Sequence, residues 1–170
     1  MHSFLRRLLG AAKLRAAVYE EVEADERAFT QALIVVALSS AAMSIGAVGR
    51  IGIAGLLMAT VTGFIGWALW SALTYYIGAR LLPTPSTEAN WGQLLRTTGF
   101  AMSPGLIGVL GVLPALRGMI VYVAFLWILI ASVVAVRQAL DYRSTGRALV
   151  VCVVGWAIYA GLLLALFSVK

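Results

Sequence analysis

Five long apolar blocks, each closed by a charged residue, constrain this chain more than any other feature. They run over residues 31–49 (ended by Arg50), 51–78 (Arg80 follows), 97–116 (between Arg96 and Arg117), 118–136 (ended by Arg137) and 148–169 (between Arg147 and Lys170). Each holds about 19–28 residues, enough to cross a hydrocarbon core of about 30 Å at about 1.5 Å per helical residue. In lipid, every backbone N–H and C=O must be bonded within its own segment, which predicts helices and excludes open strands. Composition agrees: 62% of the 170 residues are apolar and 12% are charged. A soluble domain of this size could not bury that much apolar surface, and disorder requires the opposite composition. The expected fold is all-α: a polytopic transmembrane bundle of five helices over residues 31–170, preceded by an amphipathic cytoplasmic or interfacial segment, 1–30.

Thirteen Lys+Arg against seven Asp+Glu leave a net charge of +6. The basic residues are spread one to three per loop, so no patch follows the phosphates of a nucleic acid, and none is expected as a partner. They carry orientation instead. Ten fall on the side of the N-terminus and the loops at 79–96 and 137–147; only Arg50, Arg117 and Lys170 fall on the other. The positive-inside rule then places the N-terminus in the cytoplasm and the C-terminus outside.

The first thirty residues do not read as a cleavable signal peptide, because Arg6, Arg7, Lys13 and Arg15 interrupt every apolar run. A helix capped by Ser3 would align Leu5, Leu8, Leu9, Ala12, Ala16 and Tyr19 on one face. Residues 1–15 carry +4 and residues 16–30 carry −4. The first half is read as an interfacial helix on the cytoplasmic leaflet; docking on the protein's own cytoplasmic face is the alternative. The segment from Leu82 to Glu88, with Pro83 and Pro85 and a capping-type Ser/Thr, breaks the chain between the second and third spans.

Chemistry is sparse. No ionisable residue lies well inside a span, which argues against an ion-coupled pump. The single histidine is His2 and the single cysteine Cys152, so no metal ligand set, cofactor site or disulfide framework is expected. No nucleophile elbow, zinc motif or P-loop is present. No catalytic residue is assigned.

Three features remain. Small residues recur at helical spacing in Ala42/Gly46, Ala59/Gly63 and Ala157/Gly161, and Gly105, Gly108 and Gly111 recur every third position; packing within the bundle is preferred to a dimer face. In the third span Pro104 kinks the helix or starts it, with Thr97, Thr98 and Ser103 able to re-satisfy freed backbone groups; the kink shapes the bundle or serves a gate. Last, a cytoplasmic polar set of Glu21, Asp25, Arg27, Arg96, Arg137 and Asp141 would tie the N-terminal segment to the ends of spans three and four. Arg137 and Asp141 are expected as neighbours on one continuing helix. Ordinary solvated interface charges are the alternative.

Several stretches are similar to one known family: Tyr19-Glu20-Glu21-Val22-Glu23-Ala24-Asp25 leading into Gln31-Ala32-Leu33-Ile34-Val35-Val36; Tyr75-Tyr76-Ile77-Gly78; Leu94-Leu95-Arg96-Thr97-Thr98-Gly99-Phe100-Ala101-Met102-Ser103-Pro104; and Trp127 followed by Ala135-Val136-Arg137-Gln138-Ala139-Leu140-Asp141. From about Leu8 to about Trp156 the chain resembles the Yip (Ypt-interacting protein) domain family in its short prokaryotic form. The resemblance implies five spans with a cytoplasmic N-terminus, a bacterial cytoplasmic membrane, and structural importance for Gly99, Phe100 and Pro104. Eukaryotic members bind prenylated Rab GTPases, form hetero-oligomers and shape membranes. This chain lacks their longer hydrophilic N-terminus and their Asp-Leu-Tyr-Gly-Pro motif, so small GTPase binding is not carried over.

The function expected is that of a non-enzymatic membrane organiser, adaptor or scaffold whose partners are membrane lipids and other integral membrane proteins. The alternative is an accessory subunit of a larger respiratory or photosynthetic assembly. A channel or transporter for an uncharged solute is a third reading.

Overall fold

The computed structural model describes residues 2–48 and 52–168. Among them there is no strand. The order is α1 (His2–Ala12), α2 (Ala16–Ala24), α3 (Ala28–Val48), α4 (Ile53–Tyr75) running into a π-helical turn (Tyr76–Leu81), α5 (Trp91–Ala101), a 3-10 helix (Ser103–Val112), α6 (Arg117–Ala139) and α7 (Thr145–Ser168). Four helices are long and apolar enough to cross a membrane: Ala28–Gly46, Ile53–Leu81, Arg117–Ala139 and Thr145–Leu162. Arg50 and Lys170, two of the three basic residues counted on the far side, lie outside the described residues.

The third apolar block, 97–116, is not one helix. It begins earlier, at Trp91, under a capping box made by Asn90 and Gln93 rather than by the Ser/Thr near Glu88. It changes character at Pro104, which opens the 3-10 helix. Proline has no N–H for the carbonyl four residues back, and its ring crowds that turn. The α-helix therefore ends at Ala101, and the chain continues in tighter turns of about three residues. That period explains Gly105, Gly108 and Gly111: residues three apart eclipse one another only in a 3-10 helix, so the glycines form one straight buried stripe.

The stripe lies against α3. A Cβ on Gly111 would stand 2.9 Å from the Gly46 Cα, and one on Gly108 would stand 3.0 Å from the Met43 Cα. Backbone meets backbone here, which is the purpose of small residues at membrane helix contacts. Midway along, Ser39 Oγ donates to the Met102 carbonyl at 2.7 Å, supporting the turn that the proline breaks.

α1 and α2, the 82–90 connection and the 140–144 turn gather at one end of the bundle. α3, α5 and α7 start from that end, and α4 and α6 return to it. Beneath α1 and α2, Tyr19, Val22, Ala32, Val35, Phe100 and Ala135 form one buried core; Ile77, Leu94, Val136, Leu140 and Val151 form a second. The other halves of the helices expose apolar side chains, including Ile53, Met58, Ile65, Met119, Tyr122 and Phe125. Such a belt suits hydrocarbon rather than water.

α1 departs from the single amphipathic face expected of it. The chain turns at Lys13 and Leu14, with Leu14 at φ 58°, so Ala16 and Tyr19 belong to the second helix of a hairpin. α1 packs on the protein itself: Ala11 is fully buried, its carbonyl accepts from the Tyr19 hydroxyl at 3.0 Å, and the Ala12 carbonyl accepts from Trp127 Nε1 at 2.8 Å. Leu5 and Leu9, 48% and 58% exposed, remain on its outer side.

Candidate functional site at the polar end

Charged side chains from several segments converge where the N-terminal hairpin meets the bundle. Arg7, on α1, is only 8% exposed. Its Nε donates to Glu21 at 2.9 Å, its Nη2 to Asp25 at 2.7 Å and its Nη1 to Gln31 at 3.2 Å. Arg6 adds a 2.6 Å contact to Glu21. Glu21 and Asp25 are four apart, so both carboxylates meet the same guanidinium fork. Arg7 holds the Asp25 carboxyl below the usual range. Burial pushes Glu21 upward, but Arg6 and Arg7 outweigh it and keep it low as well.

Arg96 performs a second closure. From α5 its Nε donates to the carbonyls of Val22 at 3.1 Å and Glu23 at 3.2 Å, and Nη2 also reaches the Glu23 carbonyl. Carbonyls in a helix's last turn have no partner inside the helix and carry its negative dipole end, so a buried cation suits them. Gln93 Nε2 donates to Glu23 Oε1 at 3.0 Å. Burial pushes the Glu23 carboxyl up to about 7, with Asp141 and Glu20 adding to the rise and Arg96 opposing it.

The α6–α7 turn completes the face. Gln138 donates to Glu20 at 2.7 Å, and Ser86 Oγ donates to the Asp141 carbonyl at 3.1 Å. The Tyr142 hydroxyl is shared between the carbonyls of Gly78 at 2.9 Å and Leu82 at 2.7 Å, which the π-helical turn leaves short of donors. Burial pushes that hydroxyl's pKa up. Glu20, Arg137, Gln138, Asp141, Tyr142 and Arg143 line a shallow cleft of about 270 Å³.

Of the expected polar set, Arg96 does join the N-terminal segment to the third block, though through main-chain carbonyls. Asp25 pairs with Arg7 and not with Arg137. Arg137 and Asp141 are not helical neighbours: α6 ends at Ala139, and Asp141 sits at φ 52°. Arg137 instead donates to the carbonyls of Tyr142 and Arg143, holding the turn that follows its helix. Arg7, Glu23, Gln93, Gln138 and Tyr142 were missed. The sign reversal between residues 1–15 and 16–30 was a usable signal for Arg7, since a hairpin folds the two halves together. Nothing local marks the others.

The remaining singled-out residues are structural in position. Gly99 faces Ala32, whose Cβ would be 2.8 Å from an added Cβ; Phe100 is fully buried and Pro104 is buried at the helix change. Ala42 and Gly46 pack inward and Gly63 abuts Ser40, while Ala59 is half-buried. Ala157 is exposed and no atom lies within 4 Å of a Cβ placed on Gly161. Thr97 and Thr98 bond the carbonyls of Gln93 and Leu94, upstream of the break that they were expected to serve. Thr98 also joins Trp67 Nε1 at 3.1 Å and Ser71 at 2.7 Å, tying α5 to α4. Ser103 Oγ is buried without a partner among the described residues. Among those residues, no group of three His, Cys, Asp or Glu could hold a metal ion.

No curated protein and no solved structure matches the chain. The family model described as the Yip1 domain matches residues 15–167.

Proposed function

The chain belongs to the Yip1 domain family, and from that premise we propose that this membrane protein is a non-enzymatic adaptor or scaffold that organises other integral membrane proteins through its polar end. The carrying observation is the double closure of the N-terminal hairpin: Arg7 on Glu21 and Asp25, and Arg96 on the α2 carbonyls. It presents a fixed, mixed-charge surface with a shallow cleft beside it. Preorganised surfaces bind with less ordering cost than loose ones.

The bundle crosses the membrane five times in this reading. α6 starts at the far end and returns along about 34 Å of helix, so the chain must first get there through α5 and the 3-10 helix. The 3-10 rise of about 2.0 Å per residue lets residues 97–112 cover nearly 30 Å. Positive-inside asymmetry supports a cytoplasmic polar end and a C-terminus outside, and the resemblance to the short prokaryotic form supports a bacterial cytoplasmic membrane.

The test is site-specific photo-crosslinking from Gln138 and Arg143 in cells. Repeated capture of the same membrane protein supports the adaptor; labelling of lipid alone from both sites overturns it. The accessory-subunit reading is favoured by one observation, the open Ala157/Gly161 face on α7. Crosslinks from Ala157 at constant stoichiometry, with none from Gln138, would select it.

A further inference from the structure

At the far end of the bundle an apolar groove of about 470 Å³ lies between α3 and α6. Met43 forms one wall, and Val121, Tyr122 and Phe125 form the other, with Arg117 and Gly118 at the rim. Arg117, Val121 and Phe125 are spaced four apart on one ridge of α6, so the groove runs about 12 Å down from the guanidinium. Its volume lies within the range of about 300–1,000 Å³ usual for small-molecule sites.

Arg117 has no acidic side chain at its end of the bundle. Its Nε donates to the Gly111 carbonyl at 3.2 Å, which holds the head at the rim. Its Nη groups have no hydrogen-bond partner among the described residues. Every acidic side chain in the sequence lies within residues 20–26 or at Glu88 and Asp141, all at the polar end. That is the length of α6 away, several times the screening length of about 8 Å at physiological salt. No acidic side chain of the protein therefore supplies a countercharge at this end. Where an apolar groove opens to lipid beneath a cation, the available anion is a lipid headgroup, and a guanidinium matches a phosphate bidentately. The first turn of α6 has no side-chain cap, and nothing stands over Gly118, so its amide adds to the positive field.

We propose that this groove holds one acidic phospholipid of the leaflet opposite the N-terminal hairpin, its phosphate on Arg117 and one acyl chain along Val121, Tyr122 and Phe125 against Met43. The site is independent of the adaptor reading, which concerns the other end.

The full-length protein in detergent is equilibrated with equal amounts of phosphatidylglycerol and phosphatidylcholine of identical acyl chains, then examined by native mass spectrometry. Wild type should retain one phosphatidylglycerol with about fivefold preference, the scale for one basic residue at an anionic surface. Arg117→Gln should abolish the preference and Arg117→Lys should keep most of it. Val121→Trp, which fills the groove and leaves the charge, should reduce retention of either lipid. Equal retention of the two lipids by wild type overturns the proposal, as does an unchanged preference in Arg117→Gln. So does displacement of the lipid by soluble glycerol phosphate that also binds Val121→Trp, since the site would then read a free anion. The wild-type competition decides the headgroup by itself, so a variant that misfolds leaves the test standing.

Discussion

Arg96 of α5 donates to the main-chain carbonyl of Glu23, a residue 73 positions earlier. A guanidinium in the wall of the bundle thus terminates a helix that packs against it from outside. The contact needs no acidic side chain, and so it is invisible to any search for charge pairs.

Removing that guanidinium should release the hairpin. Arg96→Met leaves the Val22 and Glu23 carbonyls without their donor, at a cost of about 1–3 kcal/mol. Limited proteolysis should cut within residues 13–27 faster than in wild type, while the helical content of the bundle stays unchanged. Unaltered cleavage would show that Arg96 does not hold α2.

Glu23 should make the hairpin sensitive to pH. Burial pushes its carboxyl up to about 7, above the ordinary range of a glutamate, so the folded state holds the proton where the unfolded chain has lost it. Stability from this group is full below the unfolded value and falls as pH rises toward and through 7. Glu23 is partly buried, and with solvent screening the effect is about 1 kcal/mol. Thermal unfolding should therefore occur at a lower temperature at pH 8 than at pH 5.5, and Glu23→Gln should flatten that slope. Glu21 and Asp25 are shifted the other way; their contribution is lost only as pH falls through their lowered values, below the usual carboxylate range.

Coupling energies should distinguish the pairs. A double-mutant cycle on Arg7 and Asp25 should show favourable coupling, because the two are 2.7 Å apart with Arg7 buried. The same cycle on Asp25 and Arg137 should give none. Both are read from unfolding midpoints in one detergent.

The glycine stripe should be intolerant of a methyl group. Gly108→Ala drives a side chain into the Met43 backbone and Gly111→Ala into Gly46, and overpacking of this kind costs about 1–3 kcal/mol. Gly161→Ala, with open space around it, should leave the unfolding temperature within error of wild type.

The membrane character was legible because bilayer thickness fixes how long an apolar run must be, and because lipid forces backbone groups to pair within the segment. Pro104 was visible as a disturbance of the third span and Gly105, Gly108 and Gly111 as a small-residue stripe, but the 3-10 winding that aligns the glycines was seen only in the structure. The polar face was read less well. Asp25, Arg96, Arg137 and Asp141 lie at the expected end, but spacing alone paired the wrong ones, since Asp141 follows the helix end and Arg96 bonds main chain.

By itself, then, the sequence determined that this protein lives in lipid, that its chain is helical, and that its charge is confined to the ends of apolar runs. These follow from local physics: hydropathy, helical rise and backbone satisfaction. Tertiary structure alone decided that α1 and α2 fold into a hairpin, that Arg7 takes both Glu21 and Asp25, and that the α2 carbonyls are closed by Arg96. It also left Arg117 far from every acidic side chain of the chain. A cation's partner depends on which segments are brought within about 3 Å, and no spacing along the chain encodes that distance.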